Sequence, residues 1–152
     1  VLAEKTGIYG MIGGQVVDVA SCGVGLDEGM LNFIYELKTG ALIESSMMIG
    51  ALLAGAEDAE LEKVQKIASD VGIAFQIQDD ILDVTSTTEE LGKPVHSDEK
   101  NEKTTYVTLK GLEKATRDVE VISQEALELL SGLDRENAYL TQLIRELIHR
   151  KK

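Results

Sequence analysis

The stretch GIAFQIQDDILDV, residues 72–84, decides the fold. It continues a helical pattern that begins near Ala59, with Leu61, Val64, Ile67, Ala68 and Val71 on one side and Glu60, Glu62, Lys63 and Lys66 on the other. The expected helix, from about Ala59 to Val84, is the longest in the chain. In its second half, acidic groups stand inside an apolar frame. At about 100° per residue, Gln76, Asp79, Asp80 and Asp83 fall within an arc of about 100°. Like charges three and four residues apart destabilise an isolated helix by a few tenths of a kcal/mol. Phe75, Ile77, Ile81 and Leu82 around them raise the cost of leaving carboxylates unpaired. A divalent cation would reverse that cost. Carboxylate oxygens suit Mg²⁺, which keeps several waters and often takes one or two carboxylates plus phosphate oxygens. The plainer reading is a solvated acidic stripe on a surface helix.

Helical periodicity extends outward from this segment in both directions. The 152 residues include one Pro, two Phe, no Trp and 14 Gly, a composition that disfavours a sandwich or barrel. The expected fold class is all-α in a single unit covering residues 1–152. Upstream, a glycine-rich helix is expected from Val1 to about Ala20, a second from about Asp27 to Lys38, and a third from about Ala41 to Ala56. The third is apolar almost all round, which predicts burial. Thr39-Gly40 interrupts the pattern between the last two. Downstream, 85–103 reads as a polar loop with the only proline, Pro94, and TTYVTLKG (104–111) as helical. Two helices finish the chain, about Leu112–Leu130 and Arg135–His149, with Asp134 as the expected N-cap of the last.

Fifteen Lys and Arg against 27 Asp and Glu give a net charge of −12, which argues against a nucleic-acid partner. No apolar run approaches the ~20 residues of a membrane span. Cys22 alone cannot form an internal disulfide. With no signal-peptide layout at the start, the expected location is the cytoplasm. The absence of an initiating Met and of a cap before Leu2 suggests a chain that opens inside a helix, hence a fragment.

FQIQDDILDVTSTTEELGKPVHSDEKNEKTTY (75–106) resembles the second aspartate-rich region of the trans-isoprenyl diphosphate synthases, the polyprenyl synthetase family that includes farnesyl and geranylgeranyl diphosphate synthases. GMIGGQVVD (10–18), LKTGALIESS (37–46) and LGKPVHSDEKNEKTTY (91–106) resemble further family motifs, in family order. The resemblance covers essentially all of this chain but only about the C-terminal half of the family. It implies the C-terminal portion of an isoprenoid-synthase-type helical bundle. The implied reaction condenses an allylic diphosphate with isopentenyl diphosphate after Mg²⁺-assisted ionisation, giving a longer isoprenyl diphosphate.

What the resemblance implies for single residues is specific. Asp79 and Asp83 would hold Mg²⁺ with Asp80 supporting. Lys38 would contact the allylic diphosphate, and Thr39 and Gln76 would turn their oxygen dipoles to the carbocation. Phe75 would line the isopentenyl pocket. Lys93 would close on the allylic diphosphate, Lys103 and Asp98 of the same loop would help order it over the site, and Gln15 and Asp18 would give hydrogen-bonding support beside the diphosphate. The plainer readings are a surface lysine at a helix C-terminus for Lys38, a helix N-cap for Thr39, core packing for Phe75 and for Gln15 with Asp18, and a solvated charge run for the loop. The basic tail HRKK (149–152) reads as charge matching a helix dipole, or as closing the isopentenyl site as in some family members.

The missing half would carry the first aspartate-rich motif, the basic residues for isopentenyl diphosphate and most of the dimer-forming helices. The full-length protein is therefore expected to be a homodimer, and the 152 residues alone are expected to be inactive and to associate with the absent half or a second chain. Exposed apolar faces are expected on the first and third helices. The alternatives are a non-catalytic or regulatory homologue, a helical binding module, and a terpene cyclase-like class I enzyme, for which QDDILD is not the expected second metal motif. Glu146-x-x-His149 has a di-iron spacing but lacks the second copy and the further Glu residues such a site needs.

Overall fold

The computed structural model describes residues 1–87, 103–148 and 150, and these are helical with no strand among them. The helices are α1 (Leu2–Thr6), α2 (Met11–Ala20), α3 (Glu28–Tyr35), α4 (Ala41–Leu53), α5 (Asp58–Thr85), α6 (Tyr106–Lys110), α7 (Leu112–Ser131) and α8 (Ala138–Ile148). A π-helical turn, Glu36–Gly40, joins α3 to α4. None of the described helices is long and apolar enough to cross a membrane.

Helix α5 is the axis of the molecule. Its Ile67, Val71, Ala74 and Ile77 are buried, spaced three and four residues apart. Ala115, Val119, Ser123, Ala126 and Leu130 of α7 repeat that spacing, and the two helices run along each other. Small residues at Ala74, Ala115 and Ala126 allow a close approach. Ile144 and Ile148 of α8 complete the core. Burying one such aliphatic side chain is worth about 1.5–3 kcal/mol.

The N-terminal expectations need correction. Residues 1–20 form two helices, because Gly7 to Gly10 break the rod and Gly10 and Gly13 sit against the backbone of Lys5 and Ile8, where no Cβ fits. The break at Thr39-Gly40 is no helix end. The chain continues through the π turn with Tyr35, Glu36, Gly40 and Ala41 all in right-handed helical geometry. The plain N-cap reading of Thr39 therefore fails: α4 has no side-chain cap there. Helix α4 is also less buried than its composition predicts. Leu42, Leu52 and Leu53 are exposed, whereas Glu44 is buried and held by Lys5 and by Gln65 Nε2 at 3.2 Å. That ion pair ties α1 to α4. The last helix starts at Ala138, not Arg135, and its cap is Asn137, whose Oδ1 accepts from Leu140 N at 2.9 Å. Cys22 is exposed in a turn.

Apolar side chains crowd the outside of the first two helices. Ile8, Tyr9, Ile12, Val16 and Val19 are all exposed, in line with the expectation for this face.

Glycines set the closest helix contacts. A Cβ on Gly72 of α5 would stand 2.8 Å from Gly40 Cα, and one on Gly14 of α2 would stand 2.5 Å from Lys38 N. The π turn is thus gripped between α2 and α5. Gly14→Ala should raise helix propensity by about 1 kcal/mol yet lower stability by about 1–3 kcal/mol, because the clash is with backbone. Urea unfolding measures the sign; a neutral or stabilised variant would mean that the two segments are not in contact.

Candidate functional site

The grip on the π turn has a chemical consequence. An extra residue in the turn re-aims the side chains that follow, and such turns are frequent at functional sites. Lys38 leaves the turn toward α2, where its Nζ donates to Asp18 Oδ2 at 2.7 Å. Lys103 reaches the same carboxylate from the other direction, at 3.4 Å. Because the helical path runs on through Lys38, the lysine does not stand at a helix C-terminus.

Lys38, Lys103 and Asp18 share a cavity of about 100 Å³ with Gln76, Asp79 and Asp80 of α5. Leu26, Leu31, Ile34 and Tyr35 supply its apolar wall, and Thr104 and Thr105 its rim. Thr104 Oγ1 accepts from Leu26 N at 3.1 Å, which fixes the segment carrying Lys103 against the end of the α2–α3 connection. A capping box on α6, in which Thr105 and Thr108 exchange side-chain and backbone hydrogen bonds, holds the same segment from the other side.

The three aspartates of α5 occupy different surroundings. Asp80 is buried and accepts from the Tyr35 hydroxyl and from Tyr106 N at 2.7 Å. Tyr106 N also donates to the Tyr35 hydroxyl oxygen at 3.2 Å. Asp79 is half-buried, lines the cavity, and accepts from Arg150 Nη2 at 3.1 Å on its other side. Asp83 is buried and does not line the cavity. Among the described residues, no three His, Cys, Asp or Glu side chains stand close enough to hold a metal ion by themselves.

Of the other expected residues, Thr39 is half-buried on the π turn outside the cavity, and Gln15 is exposed and outside it as well. Phe75 is half-buried under the Arg150 guanidinium, whose centre lies 3.9 Å from the ring centroid. Lys93 and Asp98 lie outside the described residues, as does His149 of the Glu-x-x-His pattern. Sequence reasoning missed Tyr35 and Tyr106. Their signal was present as a tyrosine on the apolar stripe of α3 and another directly after the polar loop, each with a hydroxyl that burial obliges to find a partner.

Electrostatics favour a charged Asp18 carboxylate here. Burial pushes the Asp18 carboxyl up, but Lys38 first and then Lys103 outweigh it and hold the group below the ordinary carboxylate range. Burial, followed by the hydrogen bond to Asp118 at 2.7 Å, pushes the Tyr106 hydroxyl well up, so it stays protonated.

Two outcomes test this geometry. Tyr35→Phe removes one donor from a buried carboxylate and should cost about 1–3 kcal/mol in chemical denaturation; an unchanged midpoint would show that Asp80 does not depend on it. For Asp18, a depressed folded pKa means that its contribution to stability is fully present above the ordinary 3.8 and is lost as pH falls below that and through the lower folded value. Asp18→Asn should therefore flatten the acid limb of a stability–pH curve and leave its slope above pH 5 unchanged. An acid limb identical to the wild type would remove Asp18 from the account.

The sequence model of the family described as "Polyprenyl synthetase" matches residues 3–146. The chain is 43% identical over 138 residues to a protein of Capsicum annuum named geranylgeranyl pyrophosphate synthase, chloroplastic, covering 90% of this chain and 37% of that one. It is 38% identical over 151 residues to a geranylgeranyl diphosphate synthase of Cyanophora paradoxa, covering 98% and 50%. The fold superposes on a Helicobacter pylori geranyltransferase, solved with magnesium and isoprenyl diphosphate, at a TM-score of 0.80 and 34% identity, covering 97% of this chain and 48% of that one. The plant relative is named for the chloroplast, a compartment other than the cytoplasm expected above. The chain thus spans half or less of the length of these relatives, and it belongs to the polyprenyl synthetase family.

Proposed function

We propose that this chain contributes the second carboxylate set and part of the diphosphate-binding wall to a prenyltransferase that condenses an allylic diphosphate with isopentenyl diphosphate. The observation that carries the reading is one cavity in which Asp79, Asp80 and Gln76 of α5 face Lys38 and Lys103. Carboxylates alone would repel a diphosphate, and lysines alone would not explain a row of acids inside an apolar helix. The two together suit an anion that arrives with a divalent cation. The donor set fits Mg²⁺ as a partial site, since that ion needs only one or two protein carboxylates when phosphate oxygens and water complete its shell. Asp79 is the residue to hold it, with Asp80 fixing the helix beneath. When bound, the ion offsets the negative charge that gathers on the departing diphosphate.

The chain's own residues bear on the steps that follow. The allylic C–O bond breaks with its electron pair leaving on the diphosphate. The double bond of isopentenyl diphosphate then attacks the cation, forming a C–C bond, and the condensed cation gives up a proton to the departed diphosphate, leaving a new double bond. Lys38 and Lys103, shared through Asp18, meet the leaving group. Gln76 supplies an oxygen dipole near the cation, and Leu26, Leu31 and Ile34 of the cavity wall keep water from it. The remaining length seen in the relatives would supply the other metal ligands and cover the exposed apolar face of α1 and α2.

In the complete protein that carries this chain, condensation should require Mg²⁺, and Asp79→Ala should lower kcat about 10²-fold or more, the scale of removing one preorganised electrostatic group. A steady-state assay with radiolabelled isopentenyl diphosphate measures it. Near-normal turnover in the variant would reject the role of the α5 carboxylates.

A further inference from the structure

Asp79 stands between two positive regions. On one side is the cavity with Lys38 and Lys103. On the other, outside the cavity, Arg150 lies two residues beyond α8, its guanidinium carbon over the Phe75 ring at 3.9 Å from the centroid, with its Nη2 on Asp79 Oδ1 at 3.1 Å. The fit of Arg150 is incomplete. Its Nε is buried without a hydrogen-bond partner among the described residues. Its bond to Phe75 O and the bond its own carbonyl receives from Gln78 Nε2 are both long, at 3.5 Å. A guanidinium that keeps one donor unsatisfied in a dry place is held by stacking and by a single carboxylate.

We propose that Arg150 is an internal counter-ion for Asp79 that a divalent cation displaces when the site fills. This rests on the metal reading of the site and goes beyond it. While the cavity is unfilled, the guanidinium keeps the Asp79 carboxylate compensated and oriented; when a cation binds, repulsion and competition for the same oxygens push Arg150 off the ring. Arg150 is a positioning residue, and its presence weakens cation affinity.

The test is a double-mutant cycle read by binding. Mg²⁺ is titrated by calorimetry into the complete protein in the presence of inorganic diphosphate, for wild type, Arg150→Gln, Asp79→Asn and the double variant. Arg150→Gln should bind Mg²⁺ about fivefold or more tightly, Asp79→Asn should bind more weakly, and Arg150→Gln should add nothing in the Asp79→Asn background. Arg150→Met keeps an apolar stem against Phe75 and should behave as Arg150→Gln does if that variant does not fold. Unchanged affinity in Asp79→Asn overturns the metal reading itself. Weaker affinity in Asp79→Asn, with no gain or a loss in Arg150→Gln, overturns only the counter-ion role and makes Arg150 an anion contact. Loss of folding in both Arg150 variants also overturns it, because a contact that yields to a cation cannot be one the fold requires.

Discussion

A carboxylate taken out of water must be met by donors that stay in place. Asp80 is that carboxylate here, and the Tyr35 hydroxyl and the Tyr106 backbone N–H are the donors. They come from three separate helices, α3, α5 and α6. An unpaired buried charge costs several kcal/mol, so the contact fixes how these helices sit. Four of the polar groups that face the cavity are near these three residues in sequence. Asp79 and Gln76 share the helix of Asp80, Lys38 is three residues beyond Tyr35, and Lys103 three before Tyr106. The buried Asp80 thus does structural work, while the more exposed Asp79 beside it also lines the cavity.

The second constraint is steric. Gly14, Gly40 and Gly72 bring three backbones together around the π turn. A glycine in a helix forfeits about 1 kcal/mol of propensity, and three of them would be a poor arrangement if side-chain packing were the only return. What the close approach secures is the aim of Lys38. The turn cannot slide without pushing backbone into backbone, so the lysine side chain leaves it in a fixed direction, toward Asp18.

How legible this was in the sequence depends on how local each cause is. Helix α5 was readable to within a residue or two, and α7 likewise, because a repeating apolar stripe is a property of the strand of residues itself. The all-helical class followed from the same stripes. The break at Gly7–Gly10, the π turn, the clamp of Lys5 on Glu44 and the Asn137 cap were not readable, since each depends on what a neighbour in space or a few tenths of a kcal/mol decide. The cavity was half legible. Lys38, Gln76, Asp79, Asp80, Asp18 and Lys103 were singled out and do meet, yet the pairing of the lysines through Asp18 was not foreseen, nor was the division of the trio into Asp79 and Asp80 that line the cavity and a buried Asp83 that does not.

Charge balance in the cavity bears on how the proposed ligands would bind. Three carboxylates, Asp18, Asp79 and Asp80, face two lysines, and both lysines already serve Asp18. A diphosphate entering alone adds negative charge to a site with no positive charge to spare for it. A divalent cation entering alone finds no group of three described ligands to hold it. Each ligand supplies what the other lacks, so each should raise the other's affinity, and by linkage the two gains are equal. Mutual dependence of this kind would keep the acidic face from capturing cations when no diphosphate is present. On the proposed function, the row of carboxylates in an apolar helix of a chain with a net charge of −12 would be completed by the cation that a diphosphate brings.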